Sequence, residues 1–149
     1  MAFVGGGWAS IHRHLPAARA QRELELIGLV TAESHLETLD RARLSRRFGL
    51  RHFTSDFSEP WFRNEVDVVV IGTPPDTHYD LVMRCLGLGK HVLVEKPFAL
   101  SAADAEEMVF AARTADRKLG VVHNFQFARA PRRARALLES GALGELRAV

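Results

Sequence analysis

The stretch Val66-Asp67-Val68-Val69-Val70-Ile71 decides the fold that this sequence can adopt. Its β-branched residues follow one another almost without a break, whereas a strand with one wet face would alternate apolar and polar side chains. A nearly continuous apolar run of this length is typical of a parallel strand that is buried on both faces. We therefore predict that residues 66–71 form a central strand of a parallel sheet.

On both sides of this strand, short apolar runs alternate with helical patterns. Further strands are predicted at residues 2–4, 24–30, 52–53, 91–94 and 119–123, and a last one begins at 145–149. Helices are predicted at 9–19, 34–47, 76–88 and 129–139, and another starts at the N-cap Ser101 and buries the stripe Ala105, Met108, Val109 and Ala112. This alternation predicts βαβ units and an α/β fold with a doubly wound, mostly parallel sheet.

Ligands of doubly wound sheets bind beyond the carboxyl ends of the strands. Four segments follow predicted strands directly, namely the glycine-rich turn Gly5-Gly6-Gly7-Trp8-Ala9-Ser10, the loop Thr73-Pro74-Pro75, the turn Glu95-Lys96-Pro97 and the pair His123-Asn124. We expect these segments to gather along one edge of the sheet and to form the functional site.

The glycine-rich turn fits the pattern G-x-G-x-x-G/A, with Gly5 and Gly7 at the glycine positions and Ser10 at the last position. Glycines permit a tight turn and let backbone N–H groups approach a pyrophosphate at a helix N-terminus. Trp8 either covers the pyrophosphate or packs on a neighbouring domain, and Ala9 completes the predicted dinucleotide site. The alternative interpretation is a plain turn.

The end of the second strand bears on the choice between NAD and NADP. An acidic residue usually stands there and holds the adenosine ribose, but this sequence has Thr31. A neutral hydroxyl does not repel a 2′-phosphate, so NADP is admissible, although Arg41 and Arg43 lie farther along the next helix. Glu33 would serve the ribose if the turn were longer. Both cofactors stay open.

The loop at residues 73–78 reads Thr-Pro-Pro-Asp-Thr-His and follows the central strand. Its two prolines stiffen the loop, and Pro75 can begin a helix. One interpretation is simply the start of a helix. The other is a wall against the cofactor, formed by Thr73, Pro74 and Pro75, with His78 near the ribose or the phosphates.

The turn Glu95-Lys96-Pro97 carries the sharpest chemical signal. We expect Lys96 to be buried at its strand end, and burying an ammonium group is costly unless the group has a task. Lysine suits acid–base chemistry, so Lys96 is the predicted catalytic residue, which would donate to a substrate oxygen or relay a proton during hydride transfer. Glu95 would orient Lys96 or contact the nicotinamide ribose. The alternative is a salt-bridged surface turn.

His123 and Asn124 follow a later strand of the same sheet. A lone histidine at a strand end is more often structural than catalytic, whereas Asn124 could hydrogen-bond the carboxamide or the substrate. The other histidines have no acidic partners at metal-ligand spacing, so no metal is predicted. The sequence has no Gly-x-Ser-x-Gly elbow and no P-loop lysine, which disfavours hydrolases and kinases.

Composition places the chain among ordinary globular proteins. Its 149 residues are 47% apolar and 26% charged, enough for one domain with a real core. The net charge of +2 argues weakly against a nucleic-acid partner, and without an apolar run of about 18 residues no membrane span is predicted. Cys85 is the single cysteine, and a reducing cytoplasm is the simple interpretation.

Together these blocks resemble the Gfo/Idh/MocA oxidoreductases, the family of glucose–fructose oxidoreductase and inositol dehydrogenase. The resemblance rests on segments in family order and spacing, namely Phe3-Val4-Gly5-Gly6-Gly7, His14-Leu15-Pro16-Ala17, residues 67–78, residues 89–100 and His123-Asn124-Phe125-Gln126-Phe127. It implies a Rossmann domain at residues 1–124. Residues 125–149 would begin a second α+β domain for substrate binding and oligomerisation, and we expect this domain to be truncated here.

The resemblance also implies chemistry. Such proteins transfer a hydride between NAD or NADP and a hydroxyl carbon of a sugar, polyol or related compound, and are usually oligomers when complete. Lys96 matches the family's catalytic lysine, and Glu95 matches the residue on the nicotinamide side. The peptide bond between the family's lysine and the following proline, here Lys96 and Pro97, is often cis. Thr73, Pro74 and His78 match the cofactor loop.

The sequence departs from the family pattern at several points. Ser10 replaces glycine or alanine, Thr31 replaces an acid or serine, and His14 stands one place late after the glycine turn. The family's downstream Asp/His pair would lie beyond residue 149. The alternative function is a non-enzymatic dinucleotide sensor, because a galactose-pathway transcription repressor shares the architecture.

Overall fold

The structure, a computed structural model, describes residues 1–145 and 147. One sheet contains six strands, β1 (Ala2–Val4), β2 (Gly28–Val30), β3 (His52–Thr54), β4 (Val68–Ile71), β5 (His91–Val94) and β6 (Leu119–Val121). Their order is β3-β2-β1-β4-β5-β6, and all five pairs are parallel. This is the strand order of a Rossmann fold. The predicted α/β, doubly wound sheet is therefore confirmed.

Helices connect the strands. The described residues form seven α-helices, α1 (Leu15–Arg19), α2 (Glu33–Thr38), α3 (Arg41–Phe48), α4 (Pro60–Asn64), α5 (His78–Gly87), α6 (Ala102–Thr114) and α7 (Arg129–Glu139). A π-helical turn, Ser10–His14, precedes α1, and short 3₁₀ helices lie at Pro75–Thr77 and Asn124–Phe127.

Apolar layers cover both faces of the sheet, and alternate residues of β4 point into each layer. Val69 and Ile71 are buried with side chains of α5 and α6, whereas Val70 is buried with side chains of α1 and α3. Each such burial contributes about 1.5–3 kcal/mol to folding. The prediction that the central run is buried on both faces is confirmed, although its strand is shorter than expected.

The predicted helix at residues 34–47 is wrong as one element. The chain leaves helical geometry at Leu39, which has a ψ of 130°. The next residue, Asp40, then caps α3, because its Oδ1 accepts a hydrogen bond of 2.8 Å from the N–H of Arg43. A short carboxylate side chain satisfies the leading N–H groups of a helix better than it fits a helix interior, so Asp40 starts a new helix.

Helix α4 was not predicted, because residues 55–65 resemble a polar turn. Its start follows the rule that proline is tolerated at the first helical position, here Pro60. Trp61 and Phe62 are buried, and the Trp61 ring stacks on His52 at 4.9 Å between centroids. The same ring requires glycine in β2, because a Cβ on Gly28 would lie 2.7 Å from it.

Several element boundaries shift. Strands β2 and β6 are shorter than the predicted 24–30 and 119–123, and a 3₁₀ turn at Pro75–Thr77 opens the helix predicted at 76–88. Ser101 caps α6 as predicted, with its Oγ accepting from Asp104 N–H. Helix α7 has its predicted bounds. The strand predicted at 145–149 lies largely outside the described residues.

The predicted buried stripe of α6 is only partly confirmed. Met108 and Ala112 are buried, but Val109 is 38% exposed. Because α6 packs against α5 along one line, Val109 faces away from that contact and the buried face is narrower than the sequence pattern suggests.

Candidate functional site

The four segments that follow the predicted strands lie along one edge of the sheet. At each strand end, the N–H of the first residue after the strand donates to the last carbonyl of a neighbouring strand. These bonds join Gly5 to Val30 (2.8 Å), Gly72 to Val4 (2.9 Å), Glu95 to Ile71 (2.9 Å) and Val122 to Val94 (2.9 Å). The glycine-rich turn lies between β2 and β4, where the strand order reverses and ligands of such sheets bind.

The glycine-rich turn needs its glycines for different reasons. Gly5 has a φ of +100°, and a Cβ there would lie 2.8 Å from the carbonyl oxygen of Gly72. Gly7 meets nothing within 4 Å, so the space above it is open. Ser10 is fully buried, and its Oγ would lie 2.6 Å from a Cβ on Gly72. Thus Ser10 keeps the helix close to β4, as its small size suggested.

Thr31 supports the turn from the second strand. It is 6% exposed, and its Oγ1 accepts a hydrogen bond of 3.0 Å from the N–H of Gly6. The Nδ1 of His35 lies 3.5 Å from the same oxygen. The sequence suggested a ribose contact for Thr31, whereas the structure uses its hydroxyl to hold the glycine-rich turn against β2.

A cleft of about 520 Å³ lies over the turn. Its polar and loop-forming lining comprises Gly5, Gly6, Gly7, Thr31, His35, Ser55, Thr73, Pro74 and Thr77. Within residues 1–145 and 147, the N–H groups of Gly7 and Trp8 donate to no acceptor. Free N–H groups at a helix start, beside open space, suit the phosphates of a dinucleotide. The residues present therefore fit that ligand class.

The loop after β4 is held from below. His78 is fully buried, with its Nδ1 2.8 Å from the carbonyl oxygen of Pro97 and its Nε2 3.1 Å from that of Thr73. The Thr77 hydroxyl lies 2.7 Å from Thr73 Oγ1. The structure thus places Thr73 at the cleft and His78 beneath it, where its ring ties the loop after β4 to the turn after β5.

The expectation that Lys96 is buried is wrong, because Lys96 is exposed after β5. The peptide bond from Lys96 to Pro97 is cis. The buried lysine is Lys90, which is 6% exposed and donates to the carbonyl oxygens of Arg63 (2.6 Å) and Val66 (2.7 Å). Burial lowers the pKa of Lys90. The burial of Lys90 was not predicted, because no sequence pattern places this lysine against the segment from Arg63 to Val66.

Glu95 turns inward, unlike its neighbour Lys96. Its Oε2 accepts from the N–H of Lys96 at 3.0 Å, and its Oε1 lies 3.1 Å from Nε2 of His14. This pairing was not predicted, because His14 was recognised only as a position of the family pattern. The available signal for this pairing was a histidine on the helix that follows the glycine-rich turn, four residues after Ser10.

Two predicted site residues lie apart from the cleft. Trp8 is 62% exposed and stacks on His12 with 5.3 Å between centroids, while the Arg13 guanidinium lies 5.0 Å from the indole ring. Trp8 therefore packs on its own helix. Asn124 begins the 3₁₀ helix after β6 and is exposed.

The described residues contain neither a metal-binding cluster nor a membrane-spanning helix. No group of three or more His, Cys, Asp or Glu side chains able to hold a metal ion occurs within residues 1–145 and 147. In that same part of the chain, the helices are all too short or too polar to cross a membrane.

Comparison with known proteins identifies the family. Residues 1–123 match the Gfo/Idh/MocA oxidoreductase family, described as having an NAD-binding Rossmann fold. The chain belongs to this family, so the resemblance drawn from sequence is confirmed. The predicted cofactor class, NAD or NADP, is confirmed with it.

Individual relatives agree with this assignment. The uncharacterized oxidoreductase YhhX of Escherichia coli is 31% identical over 145 residues, which are 97% of this chain and 41% of that protein. The chain therefore spans less than half of this relative.

Solved structures show the same fold with cofactors. An oxidoreductase from Agrobacterium radiobacter, in complex with NAD+, L-tartaric acid and magnesium, matches with a TM-score of 0.83 and 26% identity over 97% of this chain and 41% of its own. KijD10, a 3-ketoreductase from Actinomadura kijaniata in complex with TDP-benzene and NADP, matches with a TM-score of 0.83 and 27% identity over 98% and 45%.

Proposed function

We propose that the complete protein transfers a hydride between NAD(P) and a hydroxyl carbon of a sugar, polyol or related small compound. The observation that carries this proposal is the juxtaposition of the open cleft over Gly7 with the exposed Lys96 at the same sheet edge. When bound, the nicotinamide supplies or accepts the hydride. The 149 residues would hold the cofactor and present the lysine.

The phosphates would bind at the glycine-rich turn. The free N–H groups of Gly7 and Trp8, followed by that of Ala9, form the positive N-terminal end of the helix that follows the turn. Gly5 keeps the turn tight, and Ser10 keeps the helix close to β4. None of these side chains contributes charge, so the backbone would do the binding.

The adenosine end favours NAD over NADP. Glu33 begins α2 just after Thr31, and its Oε2 accepts from the hydroxyl of Ser55, which lines the cleft. A carboxylate there would accept hydrogen bonds from a ribose diol and would repel a 2′-phosphate. We therefore propose that Glu33, rather than Thr31, takes the ribose role.

The loops after β4, β5 and β6 would frame the nicotinamide. Thr73 and Pro74 form the wall at the switch point of the sheet, and Pro75 starts the helix that braces them, with His78 fastened below. Asn124 would hydrogen-bond the carboxamide or the substrate. Glu95 would orient the turn that carries Lys96.

Lys96 would act on the substrate oxygen. An exposed lysine after β5 has no burial cost. Its ammonium form can donate a proton to a carbonyl oxygen as the adjacent carbon gains hydride, and its neutral amine can accept a proton from a hydroxyl as that carbon loses hydride. Residues outside these 149 would complete the site for the small-molecule substrate and would form the oligomer interface.

The test is Lys96→Met in the complete enzyme, assayed with a panel of sugars and polyols. We expect kcat to fall by about 10²–10⁴, as for a lost acid–base group, with NADH affinity unchanged. Lys118→Met, also an exposed lysine, is the matched control and should retain full activity.

Two outcomes would contradict the proposal. An unchanged kcat in Lys96→Met would remove Lys96 from the chemistry. Tight NADH binding with no turnover of any hydroxyl compound by the wild-type complete protein would favour the non-enzymatic dinucleotide sensor.

The compartment and assembly belong to the same proposal. Cys85 is a free, buried thiol, which agrees with the reducing cytoplasm that the sequence suggested. We propose a cytoplasmic homo-oligomer for the complete protein, to be tested by size-exclusion chromatography with light scattering.

A further inference from the structure

The pairing of His14 with Glu95 joins the helix after the glycine-rich turn to the turn that carries Lys96. The side chains are 13% and 16% exposed, and Nε2 of His14 lies 3.1 Å from Oε1 of Glu95. This contact does not have hydrogen-bond geometry, and the buried Nε2 has no hydrogen-bond partner in the described part of the chain.

The π-helical turn places His14 at this point. The N–H of Leu15 donates to the carbonyl oxygen of Ser10, five residues earlier, so this turn holds one residue more than an α-helical turn. At the start of this turn, the N–H of Ile11 donates to the carbonyl oxygen of Gly7, four residues earlier, as in an α-helix. The extra residue therefore lies between the glycine-rich turn and His14.

This extra residue explains why His14 stands one place late in the sequence. In a regular helix, one added residue would rotate every later side chain by about 100°. The π-helical turn takes up that rotation, so Ser10 stays beneath Gly72 and the His14 ring stays beside it, 3.5 Å from a Cβ on Gly72. Leu15, next along the chain, is fully buried in the core.

We propose that His14 is a positioning residue that fixes the carboxylate of Glu95 at the nicotinamide end of the cleft, an inference that rests on the proposed function. A mostly buried carboxylate needs partners, and Glu95 has two, His14 and its own turn through Lys96 N–H. Without His14 the carboxylate is freed to turn toward water. The turn then loses its preset shape and binding must restore it.

The test compares two ligands of the 149-residue chain by isothermal titration calorimetry. NADH fills the whole cleft, whereas ADP-ribose has the adenosine and pyrophosphate but no nicotinamide. We expect His14→Leu to weaken NADH binding about tenfold, as for the loss of a polar partner of a mostly buried carboxylate, and to leave ADP-ribose affinity within about twofold. His14→Gln keeps a donor and should restore most of the NADH affinity.

Two controls accompany the test. His12→Leu changes an exposed histidine of the same π-helical turn and should leave both affinities unchanged. Should His14→Leu fail to fold, Glu95→Gln carries the test, with the same selective loss of NADH affinity expected.

The outcomes separate the inference from the proposed function. Equal losses for both ligands, or no loss for either, would overturn the positioning role while leaving the dinucleotide site intact. Binding of neither ligand by the folded wild-type chain would overturn the dinucleotide site and the role of His14 with it.

Discussion

At the residue scale, the two outer glycines of the turn serve opposite needs. In Gly5→Ala, a Cβ at positive φ would also press on the Gly72 carbonyl at 2.8 Å, so we expect a stability loss of about 2 kcal/mol or more. In Gly7→Ala, the Cβ enters open space, so stability should change by less than about 1 kcal/mol. Urea unfolding measures both.

The same pair predicts opposite effects on binding. The Gly7 Cβ would occupy the space where the pyrophosphate approaches, so Gly7→Ala should fold normally but bind NADH at least about tenfold more weakly. Wild-type NADH affinity in Gly7→Ala would show that the ligand does not lie over this glycine.

Cys85 gives the fold a dependence on alkaline pH. Burial raises the pKa of its thiol from 9.0 to about 12, despite the opposing charges of Arg84 and Lys90. A pKa that is higher in the folded state means that stability is fully present below pH 9 and is lost as the pH rises toward 12. Between pH 8 and pH 10 the loss from this group amounts to about 1 kcal/mol.

Cys85→Ala tests this dependence. The variant should be less stable than wild type at pH 8, because the side chain leaves a small void, but its stability should fall less steeply toward pH 10. Urea unfolding at pH 8, 9 and 10 measures both slopes, and the other titrating groups cancel between the two proteins. Parallel slopes would mean that the thiol titrates normally.

Residue-scale prediction from sequence had a clear limit. The position of Lys96 at a strand end was predictable, because it depends on local pattern. Its exposure was not, because burial depends on what packs over a turn. The buried Lys90 illustrates the same limit, since its partners Arg63 and Val66 come from a helix end that no sequence pattern linked to it.

At the element scale, the π-helical turn predicts an unusual tolerance. Deleting the exposed His12 should convert it into a regular helical turn while His14 and Leu15 keep their faces. We expect the deletion variant to fold with a Tm within a few degrees of wild type and to keep NADH affinity within about threefold.

A second deletion provides the control. Ala17 is also exposed but lies in α1, where no extra residue is stored. Its deletion rotates the segment that leads to β2 and should destabilise the fold markedly more. If the two deletions cost the same in thermal unfolding, the π-helical turn does not absorb an extra residue.

Elements with strong local signals were predictable. The runs at β4 and β5, the Ser101 cap of α6 and the bounds of α7 follow from pattern alone. The break at Asp40 and the short helix α4 were not predictable from local pattern. At Asp40 the side chain caps a new helix instead of continuing the previous one, and at α4 the burial of Trp61 favours a helix where the sequence resembles a polar turn. The only sign of the π-helical turn in the sequence was the position of His14, one place later after the glycine-rich turn than in the family pattern.

At the scale of the whole molecule, the Rossmann sheet is complete without the last helix. Helix α7 buries none of its residues, and Phe125 and Phe127 before it are 79% and 71% exposed. This is the pattern expected if a second domain begins near residue 125, and that boundary stays a prediction. We expect the 149 residues alone to bind cofactor weakly and to turn over nothing.

The most direct test of the central claim is a titration of the folded 149-residue chain with NADH and with NADPH, followed by tryptophan fluorescence and calorimetry. Trp8 directly follows Gly7 in the chain, so a reduced nicotinamide bound in the cleft should quench its emission even though the indole ring lies outside the cleft. We predict saturable binding of NADH that is at least about tenfold tighter than that of NADPH, because of Glu33. Failure of both cofactors to bind would contradict the assignment of this cleft as a dinucleotide site.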